Sequence, residues 1–176
     1  GDILIVAGYL DKGGKGVIQA SLDAGSFKTF FLPDGMIGDS LPTAIGDDLN
    51  GSIGTVPGTD SPGATKFNEI AKSNNFKAGP YTKESYDSAA LIMLAMQAAN
   101  STNSNDFKSK VMDVANAPGE KIFPGELAKG LKLLSEGKEI DYVGASAVEL
   151  IGGGESAGNF AEILIDNQKV TTVGYK

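Results

Sequence analysis

The chain has 176 residues, 41% of them apolar, and a mean hydropathy of −0.07, a composition that describes a globular chain rather than a disordered one. A formal charge of −7 without clustered Lys or Arg argues against a nucleic-acid binder, and zero cysteines exclude a disulfide scaffold and a thiolate metal site. Histidine is also absent, which removes the commonest general base at neutral pH and the commonest transition-metal ligand, so an enzyme is not expected and no cofactor is called for.

Ile3 to Ala7 is a continuous apolar run rich in β-branched residues and followed by Gly8, the pattern of a parallel strand buried on both faces. From Lys15 to Ala24, the residues Val17, Ala20 and Ala24, with Ile18 and Leu22 beside them, recur at helical spacing, and Gly25 supplies a left-handed stop. Phe27 to Leu32, bounded by Pro33-Asp34-Gly35, and Ile53 to Val56, bounded by Pro57-Gly58, read as strands. The first 58 residues therefore scan as strand, helix, strand, short helix, strand, a βαβ pattern that implies an α/β fold with a parallel sheet.

Pro57 to Gly63 is the clearest linker, and Ser61-Pro62 has the form of an N-cap and first helical residue. Helices then dominate. Phe67, Ile70 and Ala71 mark one stripe; Tyr86 to Ala99 is apolar almost all round and predicts a buried helix with Met93 and Met96 in its core; Phe107, Val111, Val114 and Leu127, Leu131, Leu134 mark two more. Phe160 to Ile165 and Lys169 to Val173, separated by Asp166 to Gln168, predict a closing β-hairpin. The longest apolar stretch, Ala89 to Met96, falls well short of the roughly 20 residues that span a bilayer. The N-terminus shows no basic segment ahead of an apolar one, so a secretion signal is expected to have been removed or never present.

Open parallel sheets bind ligands outside the carboxyl ends of their strands. Gly8-Tyr9 closes the first strand and Pro33-Asp34-Gly35 the second, and a right-handed βαβ unit puts these ends on one edge. Tyr9 and Asp34 can thus face one ligand, the carboxylate suiting an ammonium group and the ring offering an apolar wall, a hydroxyl and cation–π attraction. On its residues alone, Asp34 reads first as a turn residue ahead of Gly35, and only second as a ligand contact. Gly13-Gly14-Lys15-Gly16 lacks the third glycine of a dinucleotide fingerprint and the Ser or Thr of a P-loop, and helix entry accounts for it. Asp39, Asp47 and Asp48 lack calcium-loop spacing and read as a solvated helix end. Asn100-Ser101-Thr102 fits an N-glycosylation acceptor, a triplet that chance alone often produces.

The run from Ile3 to Ile70, ILIVAGYLDKGGKGVIQASLDAGSFKTFFLPDGMIGDSLPTAIGDDLNGSIGTVPGTDSPGATKFNEI, resembles the second lobe and hinge of the branched-chain amino-acid-binding receptors of ABC transporters. The likeness continues more loosely through GPYTKESYDSAALIMLAMQAAN and AEILIDNQKV. It implies a type I periplasmic binding protein fold, with residues 1–57 and 160–176 forming the second lobe. Residues 58–159 would be the helical portion of the first lobe, whose sheet would precede Gly1. It also implies an extracytoplasmic, periplasmic bacterial protein that captures an amino acid, branched-chain or similar, and delivers it to an ABC permease. Tyr9 matches the ligand-contacting aromatic residue and Asp34 the acidic residue that binds the ammonium group, with Gly8 and Gly35 beside them. Leucine-binding relatives carry a longer Glu where Asp34 stands. A chain lacking half the cleft is expected to need the N-terminal half or another copy of itself as partner. The alternative reading is an α/β enzyme or a sensor domain using the same sheet edge.

Overall fold

The computed structural model describes residues 1–176. In chain order the elements are β1 (Leu4–Ile5), α1 (Lys15–Asp23), β2 (Phe30–Leu32), α2 (Ser40–Ile45), β3 (Ile53–Pro57), α3 (Pro62–Ser73), α4 (Thr82–Ala99), α5 (Ser104–Phe107) and α6 (Lys110–Ala115), followed by β4 (Glu120–Ile122), α7 (Leu127–Ser135), β5 (Ile140–Tyr142), β6 (Leu150–Ile151), β7 (Glu155–Ser156), β8 (Phe160–Asp166) and β9 (Lys169–Tyr175). They form two units, one of Gly1–Gly58 with Phe160–Lys176, the other of Thr59–Asn159.

The first unit is a five-stranded sheet in the order β1-β2-β3-β8-β9. The first three strands are parallel, β8 runs antiparallel to β3, and β9 turns back on β8. The hairpin closes through Asn167 and Gln168, both at positive φ (49° and 58°), the two-residue turn whose twist matches that of the flanking strands. Val6, Phe30, Leu32 and Ile165 are buried on one face of the sheet with Ile18 of α1, Leu41 of α2, Met36 and Leu49. Gly25, at φ 62°, follows the end of α1 as the sequence implied.

The opposite face differs from expectation. Ile5, Phe31, Ile53 and Leu164 are register partners and share that face. Ile5 is 65% exposed and Ile53 40%, so β1 is not the doubly covered strand its apolar run suggests. Topology supplies the reason: β1, β2 and β3 are neighbours in sequence order, and right-handed crossovers between such neighbours place both connecting helices on one side. The buried stripe of α1 likewise runs through Ile18 and Leu22, whereas Val17, Ala20 and Ala24 face solvent.

The second unit is built around α4. Ala90, Leu91, Leu94 and Ala95 pack with Val114 and Ala115 of α6, and with Ile122, Ile140 and Tyr142 of the parallel pair β4-β5. That strand pair was not legible among the helical patterns. The helix expected from Phe107, Val111 and Val114 is two, α5 and α6. Gly130 lets α7 approach closely, since a Cβ there would stand 2.9 Å from Leu94 Cδ2. Ser61 caps α3 by accepting from the Ala64 N–H at 3.2 Å, with Pro62 in the first turn. The Phe67 and Tyr86 rings meet edge-to-face at 5.3 Å. The expectation that α4 is buried all round fails on one stripe: Ile92 and Met93 are 44% and 42% exposed, and Met96 is half-buried.

Asp87 of α4 is 2% exposed and has no cationic partner in reach of an ion pair. Its Oδ1 accepts from the Tyr142 hydroxyl and the Ala145 N–H, both at 2.8 Å. Its Oδ2 accepts from the Ser146 N–H at 2.7 Å and the Ser146 hydroxyl at 2.6 Å, and shares the Ala145 N–H at 3.0 Å. Donors thus replace the water such a carboxylate gives up on burial. Burial pushes the Tyr142 phenol far above its usual range, and the Asp87 charge adds to the shift.

Candidate functional site

Two loops build the site, and both leave the carboxyl ends of adjacent parallel strands. After β1 the chain runs through Gly8 and Tyr9 into an irregular turn before α1, where the Tyr9 carbonyl accepts from the N–H groups of Lys12 and Gly14, each at 3.1 Å. Gly13 takes φ 99° to make that turn, a conformation that disfavours a side chain. After β2, Pro33 leads into a single 3-10 turn, with the Pro33 carbonyl accepting from the Met36 N–H at 2.8 Å. The Gly35 N–H donates to Asp34 Oδ1 at 2.8 Å, which fixes one oxygen of the carboxylate at the start of the turn.

The loops are keyed together by missing side chains. Met36 is fully buried, and its thioether lies where a Cβ on Gly14 would be; a Cβ on Gly8 would meet the same sulfur at 3.8 Å. The Gly35 Cα position would place a Cβ 2.6 Å from the Gly8 carbonyl oxygen and 3.0 Å from Tyr9 Cδ1. The Tyr9 ring therefore lies against Gly35, one residue from Asp34. All four residues singled out in the sequence come together here: Gly8 and Gly35 as the close backbone approach, Tyr9 and Asp34 as the side chains it brings side by side. Tyr9 is 68% exposed and Asp34 is also exposed. Sequence reasoning missed Met36, whose only signal is an apolar residue directly after Asp34-Gly35, and it read Gly14 only as helix entry.

Chemically, the pair offers an anionic acceptor beside an aromatic face on a rigid backbone. Groups of that kind can take a primary ammonium group through a charge-assisted hydrogen bond and cation–π attraction. Next to it, Lys15 pairs with Asp11 at 3.3 Å and ties the first turn of α1 to the preceding loop. In the second unit, a crevice of about 290 Å³ is lined by Phe67, Ile70, Ala71, Phe76 and Tyr86 together with the polar Asn74 and Thr82, and it has no charged group to orient a polar solute. No helix is long and apolar enough to cross a membrane.

No family model matches the chain. The chain is 28% identical over 97 residues to the chemotactic signal transduction system substrate-binding protein BasB of Halobacterium salinarum, an alignment covering 55% of this chain and 24% of that protein. Among solved structures, it superposes on the leucine-binding protein LivK of Thermotoga maritima with a TM-score of 0.72 at 16% identity. It superposes on the branched-chain amino-acid transporter substrate-binding protein LivJ of Streptococcus pneumoniae, solved in complex with isoleucine, with a TM-score of 0.66 at 14% identity. Each superposition covers 99% of this chain and 44% of the other, so the chain spans less than half the length of the proteins it resembles. The chain has the fold of the type I periplasmic binding proteins across that span.

Proposed function

We propose that this chain belongs to an extracytoplasmic solute-binding protein that holds an amino acid, branched-chain or similar, against Tyr9 and Asp34. The observation that carries the reading is the seating of the Tyr9 ring on Gly35, which puts an exposed carboxylate and an aromatic face at the carboxyl ends of β1 and β2. Asp34 takes the ammonium group and Tyr9 walls the cleft, with Gly8 and Gly35 giving the backbone approach. The ligand's carboxylate is held by the facing lobe.

In this reading Gly1–Gly58 with Phe160–Lys176 is the second lobe, and Thr59–Asn159 is the helical portion of the first. The bare face of the first unit's sheet and the exposed stripe of α4 support it, because apolar surface of this kind is covered in a complete receptor. The cover is the N-terminal half of the receptor, or another copy of the chain. Closure on the amino acid then creates the surface that docks on an ABC permease. The chemotactic relative favours a second reading of that last step, delivery to a signal transducer, with the same amino-acid site.

The test is calorimetric titration of leucine, isoleucine and valine into the protein as isolated and into its Asp34→Asn variant. Removing a charged hydrogen-bond partner should cost about 1–3 kcal/mol, roughly 5- to 150-fold in affinity. Equal affinity in the two proteins would remove Asp34 from the site.

A further inference from the structure

We propose that Met36 is a positioning residue of the Tyr9–Asp34 site: its buried side chain holds the two loops in one register and so sets the affinity for an ammonium ligand without touching it. The proposal rests on the reading of that site as an amino-acid cleft and names the residue that fixes its spacing.

The observation is a reciprocal interlock, in which each loop supplies side chains that fill glycine gaps in the other. From the first loop, the Tyr9 ring lies on Gly35, and the Leu10 side chain lies on Gly38, where a Cβ would come 2.8 Å from Leu10 Cδ1. From the second, Met36 lies over Gly14, with its Cε 2.6 Å from where a Cβ would stand, and its sulfur also reaches Gly8. Ile37 ties the second loop to the sheet, since a Cβ on Gly54 of β3 would stand 2.8 Å from Ile37 Cδ1. Each of the four residues that follow Asp34 thus makes one such contact.

The contacts between the loops are not equivalent. Tyr9 is largely exposed and Leu10 half-buried, so either can leave its glycine for solvent. Met36 cannot, because it is fully buried and shares its core with Ile18, Leu41 and Leu49. Its unbranched thioether adapts to the narrow gap over Gly14. Backbone bonds carry the constraint onward: the Gly14 N–H donates to the Tyr9 carbonyl at 3.1 Å, and the Met36 N–H donates to the Pro33 carbonyl at 2.8 Å across Asp34. Met36 therefore lies two residues from the carboxylate along the chain and, through Gly14, one hydrogen bond from the residue that carries the ring. An ammonium group gains from both only when their spacing fits, and a preset spacing spares the ordering cost on binding. Emptying the Met36 slot leaves both groups in place but frees that spacing.

The test is calorimetric titration of leucine into the protein as isolated and into its Met36→Ala, Met36→Leu, Tyr9→Ala and Met36→Ala/Tyr9→Ala variants, with urea unfolding showing that each is folded. Met36→Ala should weaken binding about tenfold, and Met36→Leu, which refills most of the slot, should recover most of that loss. On the Tyr9→Ala background, Met36→Ala should cost less than about twofold, because no ring is left to misplace. Should Met36→Ala fail to fold, Gly14→Ala drives the same side chain aside from the other loop and takes its place in the cycle. In the unliganded protein, the Lys12 and Gly14 amides, both bonded to the Tyr9 carbonyl, should exchange about tenfold faster in the variant relative to Ile165 of the sheet. An equal loss of affinity on both backgrounds makes Met36 a core residue only and overturns the proposal, as does unchanged exchange at Gly14. Binding that falls in Asp34→Asn but not in Met36→Ala or Gly14→Ala also overturns it and leaves the amino-acid reading standing. A parent protein that binds none of leucine, isoleucine and valine overturns that reading and the proposal with it.

Discussion

Replacing Asp87 by Asn removes one charge and changes no volume, so it isolates what the buried carboxylate does. Four donor groups converge on two oxygens: the Tyr142 hydroxyl on one, the Ser146 N–H and hydroxyl on the other, and the Ala145 N–H shared between both. An amide keeps only one acceptor oxygen. With its NH₂ toward Ser146 it confronts that N–H, but with its NH₂ toward Tyr142 the hydroxyl can turn to accept and the Ala145 N–H keeps its 3.0 Å bond to the remaining oxygen, so the second orientation is preferred. The preferred orientation strands no backbone N–H but forfeits charge-assisted bonding, a loss of about 1.5–3 kcal/mol. This predicts a destabilisation of about 1.5–3 kcal/mol, a sizeable share of the 5–15 kcal/mol that holds a typical domain. Tyr142→Phe, which removes one donor and leaves the carboxylate its other three, should cost about 1–2 kcal/mol. The effects should be strongly non-additive in the double variant, since the two residues share one network. Urea unfolding followed by far-UV circular dichroism gives the magnitudes, and amide exchange at Ala145 and Ser146 localises them. A loss below about 1 kcal/mol in Asp87→Asn, with the exchange of both amides unchanged, would refute the account.

Gly35→Ala tests how the candidate site is assembled. The added methyl stands 2.6 Å from the Gly8 carbonyl and 3.0 Å from the Tyr9 ring, so the two loops must part, at about 1–3 kcal/mol measured as urea stability, with amino-acid affinity falling in parallel. Unchanged stability and affinity would mean that the loops are not keyed through this glycine. Glu126 accepts from the Phe123 N–H at 3.0 Å and pairs with Lys66 at 3.1 Å, and the backbone bond, ahead of the lysine, holds its carboxyl below the usual range near 4.5. A depressed folded-state value contributes stability above pH 4.5 that is lost as pH falls through it. Glu126→Gln should therefore flatten the acid limb of the urea-midpoint profile below that pH and leave its slope above pH 6 unchanged; an acid limb identical to the parent's would dismiss the pair as a pH-linked contact.

Much of the chain's organisation is local and was therefore legible in its residues. The strand–helix–strand–helix–strand order of the first 58 residues, the Ser61-Pro62 start of α3, the glycine stop after α1 and the closing hairpin each follow from turn chemistry and from periods of 2 or 3.6 residues. The placing of Tyr9 and Asp34 at neighbouring strand ends was legible too, because parallel order and crossover handedness leave little choice. Their ligand role came instead from a family resemblance.

Packing was not legible where it depends on which side a crossover takes or what lies beneath a helix. Ile3–Ala7 and Tyr86–Ala99 both read as fully buried, yet hydrophobicity records only that a residue favours burial, not whether a neighbour arrives to provide it. Periodicity could not show the pair β4-β5, because three-residue strands are too short to carry a period. Asp87 carried a signal in hindsight, lying three, four and seven residues before Ala90, Leu91 and Leu94 and so on their buried stripe. Its partners come from residues 142–146, more than fifty positions away, and the seating of Tyr9 on Gly35 likewise spans 26 positions between two loops. Sequence sets what each segment can form from its near neighbours, whereas a buried charge or a shared cleft depends on groups that only the folded chain brings within hydrogen-bond reach.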